Sequence, residues 1–273
     1  MPTDSQYKRL PRPELGVSHG YGEGVHILSS PWAMTILNSL CARETVQPNA
    51  NQYVDRLFEW LFTEVASREL ATANVEMETR MAEYHADEGV YRGEEIDRDQ
   101  RVVVVDVARA GILPGLTFFN ALNHLLNPDG VRQDHIFMNR VTDEHGQVCG
   151  VNLSGSKIGG DVEGATILVP DPMAATGSSI AEVIRMYRER IDGTPRKIVV
   201  VHLIVTPEYI RRIKGEFEDV TIYAIRLDRG MSSQEVLDAA PGSGAGEEIG
   251  LNGSQYIVPG GGGLGEVINN AWV

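Results

Sequence analysis

Short runs of apolar, mostly β-branched residues alternate with amphipathic segments from residue 101 onward. The runs are RVVVVDV (101–107), DHIFMNR (134–140), ATILVP (165–170), RKIVVVHLIV (196–205) and DVTIYAIRL (219–227). The segments GLTFFNALNHLL, SIAEVIRMYRERI and PEYIRRIKG lie between some of them and have the apolar spacing of helices. Apolar strands separated by helices are typical of a mostly parallel sheet covered on both faces. The pattern therefore predicts an α/β fold whose ligands bind at the carboxyl ends of the strands.

Two helices are predicted before the first of these strands. Ser30 and Pro31 have the pattern of an N-cap followed by a helix-opening proline, and this first helix is expected to end near Arg43. In the segment 51–70, apolar residues recur at helical spacing and predict one wide face that packs in the core. The residues of that face are Val54, Leu57, Phe58, Leu61, Phe62 and Val65.

Two segments fall outside this periodic pattern. Residues 1–28 are polar and interrupted by Pro and Gly, which predicts an arm that is extended or mobile until it packs on something. Residues 231–254 contain the glycine-rich, acidic sequence PGSGAGEE, which predicts a long flexible loop rather than a helix or strand. The chain from 29 to 273, including that loop, is expected to form one domain.

The charge balance and the absence of long apolar runs exclude several classes of partner. The 24 Lys and Arg residues against 38 Asp and Glu residues give a formal charge of -14, so no nucleic-acid-binding surface is expected. No apolar run approaches the roughly 18 residues of a membrane span, and residues 1–16 contain no apolar signal region. A cytoplasmic location without membrane contact is therefore expected. Only Cys41 and Cys149 are present, which predicts no disulfide framework.

Three familiar kinds of motif fail on their context. GVSHG (16–20) matches a GxSxG nucleophile motif, but it lies in the polar arm without the required strand and helix. PGGGGLG (259–265) contains GxGxxG, but too few residues follow it for the rest of a dinucleotide-binding unit. The seven histidines are scattered without ligand spacing, so no protein-bound metal site is expected.

The stretch ILVPDPMAATGSSI (167–180) combines a strand end, an acid and a helix start. Asp171 is expected at the carboxyl edge of the sheet, Pro172 and Met173 should turn the chain, and ATGSS should form a tight turn that begins a helix. The first amides of a helix lack internal acceptors and carry a partial positive charge, which suits a phosphate. The turn alone is equally compatible with an ordinary capped helix after a strand.

DPMAATGSS resembles the loop that binds phosphoribosyl pyrophosphate (PRPP) in type I phosphoribosyltransferases, in the form found in uracil phosphoribosyltransferases. VARAGILPG (107–115), FMNR (137–140), LDRG (227–230), GLN (250–252) and YIVPGGGG (256–263) resemble other segments of that family in the same order. The resemblance extends from about residue 26 to the C-terminus. It implies the type I fold, with a core at about 95–230 and a small hood formed by 29–94 and 231–273.

The resemblance also implies which residues bind PRPP. The aspartate and the turn would hold the ribose hydroxyls and the 5-phosphate, and two arginines would meet the pyrophosphate, with Mg²⁺ bound mainly through PRPP. The implied catalytic residues are Asp171, Arg109 and Arg140. The implied PRPP-binding residues are Arg109, Arg140, Asp171, Pro172, Met173, Ala174, Ala175, Thr176, Gly177, Ser178 and Ser179. Arg109 ends an apolar strand, where a buried charge would need an anionic partner, whereas the polar surroundings of Arg140 by themselves favour a surface ion pair.

The glycine-rich segment near the C-terminus resembles the loop that binds the base, largely through main-chain groups. The implied base-binding residues are Tyr256, Ile257, Gly262, Gly263 and Leu264. This loop also departs from the family, because Gly263 stands where an aspartate normally contacts PRPP and Leu264 stands where alanine or an aromatic residue is usual. Other departures are Ser178 in place of a glycine, acids displaced to Asp143 and Glu144, and a longer 231–254 loop.

The leading hypothesis is a glycosyltransferase that transfers phosphoribosyl from PRPP to uracil in pyrimidine salvage, giving UMP and pyrophosphate. The departures leave two alternatives open, namely the same transfer onto another heterocyclic base, and a PRPP- or nucleotide-sensing protein without turnover. In the second alternative a partner would contact the 231–254 loop. Family resemblance further implies a homodimer or a dimer of dimers.

Overall fold

The computed structural model describes residues 4–10, 16–142, 148–244 and 246–271. Of residues 139–142 and 148–152 it describes the backbone alone. The side chain of Arg140 and the whole of Asp143 and Glu144 therefore lie outside the described residues.

A mostly parallel sheet forms the centre of the molecule. The strands are β1 (Val25–Ile27), β2 (Thr72–Glu78), β3 (Val90–Ile96), β4 (Val102–Ala108), β5 (Val131–Thr142), β6 (Val148–Lys157), β7 (Thr166–Pro170), β8 (Met173–Ala174), β9 (Lys197–Val205) and β10 (Thr221–Leu227). The main sheet has the order β1-β10-β9-β7-β4-β5-β6, and the short β8 also pairs with β9. All these pairs are parallel except β5 with β6. The predicted α/β class is confirmed.

Helices cover both faces of this sheet. They are α1 (Pro31–Cys41), α2 (Asn49–Glu69), α3 (Ile112–Leu125), α4 (Ser178–Glu189), α5 (Pro207–Glu216), α6 (Gln234–Asp238) and α7 (Leu264–Asn269). The predicted N-cap of α1 is confirmed, because Oγ of Ser30 accepts a hydrogen bond from the Ala33 amide at 3.1 Å. The helix ends two residues before the predicted Arg43.

The two cores follow from the alternation of side chains along the strands. In β4, Val102 and Val104 pack with α1, α2 and α3 on one face, whereas Val103 and Val105 pack with α4 and α5 on the other. All six apolar residues predicted for the face of α2 are buried in the first core. Continuous apolar runs are needed because each central strand is covered on both sides.

Several elements were not predicted from the sequence. Residues 25–27, assigned to the polar arm, form the edge strand β1 beside β10. The pair β2–β3 forms a separate two-stranded sheet, and β6 adds an antiparallel edge strand. These strands are short or partly exposed, so they lack the long apolar runs of the central strands. The proposed division into a core and a hood stays a prediction.

The prediction that residues 231–254 form a flexible loop without secondary structure is wrong, because the segment contains α6 and surrounds a buried glutamate. Glu248 accepts hydrogen bonds from Arg229 Nη1 at 2.6 Å, from the Gly242 amide at 2.9 Å and from the Tyr21 hydroxyl. Burial opposes ionisation of Glu248, but these hydrogen bonds lower its pKa below the usual value. The carboxylate therefore holds the segment against the N-terminal arm.

None of the helices in the described ranges is long and apolar enough to cross a membrane.

A glycine in α3 allows this helix to pack directly on a buried carboxyl group. A Cβ atom at Gly115 would lie 1.7 Å from Oδ1 of Asp106 in β4. We expect Gly115→Ala to lower the free energy of unfolding by about 2–3 kcal/mol, since the helix must move or Asp106 must leave its rotamer. Urea unfolding measures this change.

The matched control is Gly215→Ala in α5, where a Cβ atom would meet nothing within 4 Å. This variant should gain up to about 0.5–1 kcal/mol, because alanine loses less conformational freedom than glycine in a helix. Equal stability of Gly115→Ala and the wild type would contradict the proposed clash.

Candidate functional site

The carboxyl ends of neighbouring strands bring the predicted segments to one edge of the sheet. Arg109 follows β4 and Asp171 follows β7, and these two strands pair directly. Asp228 follows β10, which β9 separates from β7. The carboxyl edge of a parallel sheet is the usual place for a ligand in such folds.

In the stretch 171–179, the predicted strand end before Asp171 and the predicted turn before a helix are present. Asp171 is half-buried at the end of β7, and its Oδ1 accepts a hydrogen bond from the Met173 amide at 3.1 Å. Gly177 precedes α4 with φ of 80°, a conformation that favours glycine. The prediction that Pro172 and Met173 simply turn the chain is wrong, because Met173 forms the short strand β8 with the next residue, alongside β9.

Hydroxyl groups line the start of α4. Oγ1 of Thr176 and Oγ of Ser178 lie 3.2 Å apart, and Nη1 of Arg212 donates to Oγ of Ser178 at 2.9 Å. The residue that departs from the family pattern at 178 thus links the turn to a cation on α5. Hydroxyls, helix-start amides and a guanidinium together form a suitable environment for a phosphate.

Four backbone carbonyls of this loop accept hydrogen bonds from β9 and from Thr206, the residue before α5. The bonds are His202 Nδ1 to Asp171 O (2.7 Å), Leu203 N and Ile204 N to Pro172 O (3.1 and 3.2 Å), Thr206 N to Ala174 O (3.2 Å) and Thr206 Oγ1 to Ala175 O (2.7 Å). Because the protein itself binds these negative ends, the loop is suited to present its amides to an anion.

Arg109 occupies a more open position than the sequence predicts. Its side chain is exposed, so the expectation of a buried charge is wrong. Among the described residues, no hydrogen bond or ion pair involves its guanidinium, and the preceding Ala108–Arg109 peptide is cis. A Cβ atom at Gly111, two residues later, would lie 3.2 Å from the carbonyl oxygen of Pro170, so this turn contacts the end of β7.

A buried ion pair holds the glycine-rich loop to the end of β10. Asp228 accepts hydrogen bonds from Arg226 Nε at 2.6 Å and Nη2 at 2.9 Å, and from the Gly260 amide at 2.7 Å. Nη2 of Arg226 also donates to the Gly260 carbonyl at 3.0 Å. Gly260 has φ of +63°, and a Cβ atom there would lie 2.3 Å from the carbonyl oxygen of Ile257. The pair therefore fixes both main-chain groups of a residue that must be glycine.

The predicted base-binding residues lie in this loop but expose different groups. Tyr256 and Gly262 are exposed, whereas the side chains of Ile257 and Leu264 pack in the core. Ile257 and Leu264 can therefore offer a base only their main-chain groups. Gly263 directly precedes α7.

Hypothetical Cβ atoms at two glycines show what lies next to the glycine-rich loop. A Cβ atom at Gly263 would lie 2.2 Å from Oε2 of Glu266, so this carboxylate occupies the space of a side chain at 263. A Cβ atom at Gly265 would lie 3.6 Å from Cβ of Ala110, next to Arg109. The glycine-rich loop therefore adjoins the turn after β4, which itself adjoins β7.

Sequence reasoning missed several residues that support the site. His202 and Thr206 bind the carbonyls of the 171–179 loop, Arg212 reaches its turn, and Asp228 holds Gly260. Some signals existed, such as a histidine inside an apolar run and a threonine before a helix-opening proline. In the described part of the chain, no group of three or more His, Cys, Asp or Glu side chains could hold a metal ion.

Residues 27–247 match the family model described as uracil phosphoribosyltransferase. The chain belongs to this family. Membership confirms the resemblance and the type I phosphoribosyltransferase fold that it implies.

Two relatives are the uracil phosphoribosyltransferases of Thermococcus sibiricus and Pyrococcus furiosus. Identity with the first is 38% over 69 residues, which are 25% of this chain and 29% of that protein. Identity with the second is 27% over 208 residues, which are 75% of this chain and 80% of that protein. The chain thus spans less than a third of the first relative's length and most of the second's.

A solved structure, the AQ2163 protein from Aquifex aeolicus, has the same fold. Its TM-score is 0.66 at 21% sequence identity, with 91% of this chain and 99% of that chain covered. At this identity the likeness concerns the fold alone.

Proposed function

We propose that this protein transfers the phosphoribosyl group of PRPP to uracil, giving UMP and pyrophosphate. The observation that carries the proposal is the meeting of three loops at one sheet edge. These are the 171–179 loop with its carbonyls turned inward, the exposed Arg109 turn and the glycine loop held by Asp228. A phosphorylated sugar, a leaving anion and a flat base need such adjacent sites.

In the proposed reaction, the bond between ribose C1 and the pyrophosphate oxygen breaks, and its electron pair leaves with pyrophosphate. A bond from C1 to the base nitrogen forms as that nitrogen loses its proton. The carboxylate of Asp171 holds the ribose hydroxyls near the developing positive charge, and the guanidinium of Arg109 meets the leaving anion. The chain thus acts by positioning and charge stabilisation rather than through a nucleophile.

A magnesium ion fits this scheme as a companion of the substrate. The loop supplies the single half-buried carboxylate of Asp171, too few ligands for a protein-built cage, so the oxygens of PRPP would provide most of the coordination. When bound, the ion neutralises charge on the pyrophosphate. Arg140, whose side chain is not described, remains a proposed second contact for that group.

The base site favours recognition through the main chain. Leu264 departs from the family residue, but its side chain lies in the core, so this change need not alter the base pocket. At Gly263 the carboxylate of Glu266 occupies the side-chain space, and it could replace the missing acid there. Both observations support uracil as the base.

Pyrophosphate release tests the proposal directly. The protein is incubated with PRPP, Mg²⁺ and, separately, uracil, cytosine, adenine, guanine, hypoxanthine or orotate, with a reaction lacking base as the control. Release that depends on uracil supports the proposal. If pyrophosphate is released only with another base, that base and not uracil is the substrate. If PRPP binds but no pyrophosphate is released with any base, the protein is a sensor rather than an enzyme.

Assembly as a homodimer or dimer of dimers and a cytoplasmic location stay predictions. Light scattering after size-exclusion chromatography would measure the first.

A further inference from the structure

A fully buried histidine lies directly beneath the 171–179 loop. His202 is in β9, inside the apolar run KIVVVHLIV, and none of its surface is exposed. Its Nδ1 lies 2.7 Å from the carbonyl oxygen of Asp171, and its Nε2 lies 2.7 Å from the hydroxyl of Tyr209 in α5. The imidazole therefore joins the proposed catalytic aspartate to the helix behind the loop.

The partners determine the proton positions on this ring. A carbonyl oxygen only accepts, so Nδ1 carries the hydrogen and donates it to Asp171. Nε2 then has a lone pair, and the Tyr209 hydroxyl donates to it. Burial lowers the pKa of His202 to about 4, so the imidazole is neutral near pH 7. Burial also raises the pKa of Tyr209, which keeps its hydroxyl proton in place.

The carbonyl of Asp171 accepts its hydrogen bond from the His202 side chain, whereas the other carbonyls of the loop have other donors. Those of Pro172 and Ala174 accept from backbone amides of the segment 203–206, and that of Ala175 accepts from the Thr206 hydroxyl. The amide of Asp171 donates to the Val201 carbonyl at 2.9 Å, which fixes the other side of this residue. His202 therefore fixes the peptide that leads from Asp171 into the phosphate-binding turn.

We propose that His202, oriented by Tyr209, is a positioning residue that sets the Asp171–Pro172 peptide, and with it the Asp171 carboxylate, for phosphoribosyl transfer. The proposal rests on the proposed function. A buried carbonyl without its donor would seek another partner, and the loop would then move relative to the substrate. Small displacements of a positioned group are sufficient to reduce turnover.

Three variants separate positioning from simple filling of the core. His202→Leu removes the donor, His202→Asn keeps an N–H near the position of Nδ1, and Tyr209→Phe removes only the orienting hydroxyl. We expect His202→Leu to lower kcat/KM for PRPP by about tenfold or more, corresponding to about 1.4 kcal/mol. His202→Asn should recover most of that loss, and Tyr209→Phe should lose less than His202→Leu.

The control is Tyr223→Phe, measured with the others well below the lowest Tm. Tyr223 is equally buried, and its hydroxyl donates to Glu69 rather than to the loop. This variant should lose stability but keep the wild-type kcat and KM. Wild-type kinetics in His202→Leu, or an equal loss in Tyr223→Phe, would overturn the proposal.

The pH dependence of stability tests the neutral imidazole. The titratable groups that face it are Tyr209 on α5 and Asp171 after β7. Between pH 6.5, the usual pKa of a histidine, and about pH 4, the pKa of the folded one, an unfolded His202 binds a proton that the folded one does not. The stability that His202 contributes is therefore fully present above pH 6.5 and is lost as the pH falls. For each pH unit, the folding constant should decrease by up to about tenfold, which corresponds to about 1.4 kcal/mol of unfolding free energy.

This pH dependence of the unfolding free energy should be absent from His202→Asn. Subtracting the stability profile of His202→Asn from that of the wild type therefore isolates the contribution of His202. Asp106, whose pKa burial raises to about 7, contributes an opposite slope in the same window, but it is common to both proteins and cancels. Parallel profiles would show that His202 is not held neutral, and would contradict the proposed tautomer.

Failure of the proposed function remains distinguishable from failure of this inference. If the wild type releases no pyrophosphate with any base, the first fails, and calorimetric binding of PRPP with Mg²⁺ replaces the kinetic measurement. Weaker PRPP binding by His202→Leu, restored in His202→Asn, would still support the positioning role. Equal binding by all three proteins would contradict it.

Discussion

Asp171→Asn is expected to lower kcat for pyrophosphate release by about two to three orders of magnitude, the range found when a charge-stabilising group is removed. The fold should be intact, because asparagine keeps the oxygen that accepts from the Met173 amide at 3.1 Å. Only the negative charge that we propose to lie beside the ribose is lost. Steady-state release of pyrophosphate measures the effect, and thermal unfolding tests whether the fold is unchanged.

Asp161→Asn is the matched control for this prediction. Asp161 lies before β7, at the opposite end of that strand, and its side chain forms a surface ion pair with Arg101 at 2.9 Å. Such exposed pairs contribute little, so turnover should stay at the wild-type level. Near-normal kcat in Asp171→Asn would remove the assigned role of the PRPP loop.

Asp228→Asn is expected to weaken binding of the base more than binding of PRPP. The substitution leaves the Arg226 guanidinium largely buried without its anionic partner, which should cost about 3 kcal/mol of unfolding free energy. It also weakens the bond from the Gly260 amide, so the glycine loop becomes less ordered. We expect KM for uracil to rise by about tenfold, the equivalent of about 1.4 kcal/mol, with a smaller change in KM for PRPP.

Asp219→Asn provides the comparison for Asp228→Asn. Asp219 pairs with Arg188 at 2.7 Å on the surface, away from the glycine loop. Its replacement should leave both KM values unchanged. Equal increases in KM for uracil and PRPP in Asp228→Asn would argue against a specific role of the ion pair in the base site.

The central strands and helices could be predicted because local sequence carries their signal. Strands such as β4, β7 and β9 are buried on both faces and so have continuous apolar runs, and α2 has one apolar face at helical spacing. The edge strand β1 has three residues, and its formation depends on pairing with β10, nearly 200 residues away in the chain. No local pattern specifies such a pairing.

Some features of the candidate site could likewise be predicted from local sequence, and others could not. The position of Asp171 after a strand and the turn before α4 follow from neighbouring residues, as do the positive φ angles that glycine permits at 177 and 260. Family membership, the α/β class and the site-bearing loops were therefore determined by the sequence itself.

The tertiary structure alone decided which groups of the site are exposed and which are held inside the protein. It turned the loop carbonyls towards His202 and Thr206, buried the side chains of Ile257 and Leu264, and left Arg109 exposed. Each of these outcomes depends on partners from distant parts of the chain, whose distances and burial exist only after the sheet has assembled. A sequence specifies the residues that can bind a phosphate, but packing determines the direction in which their polar groups point.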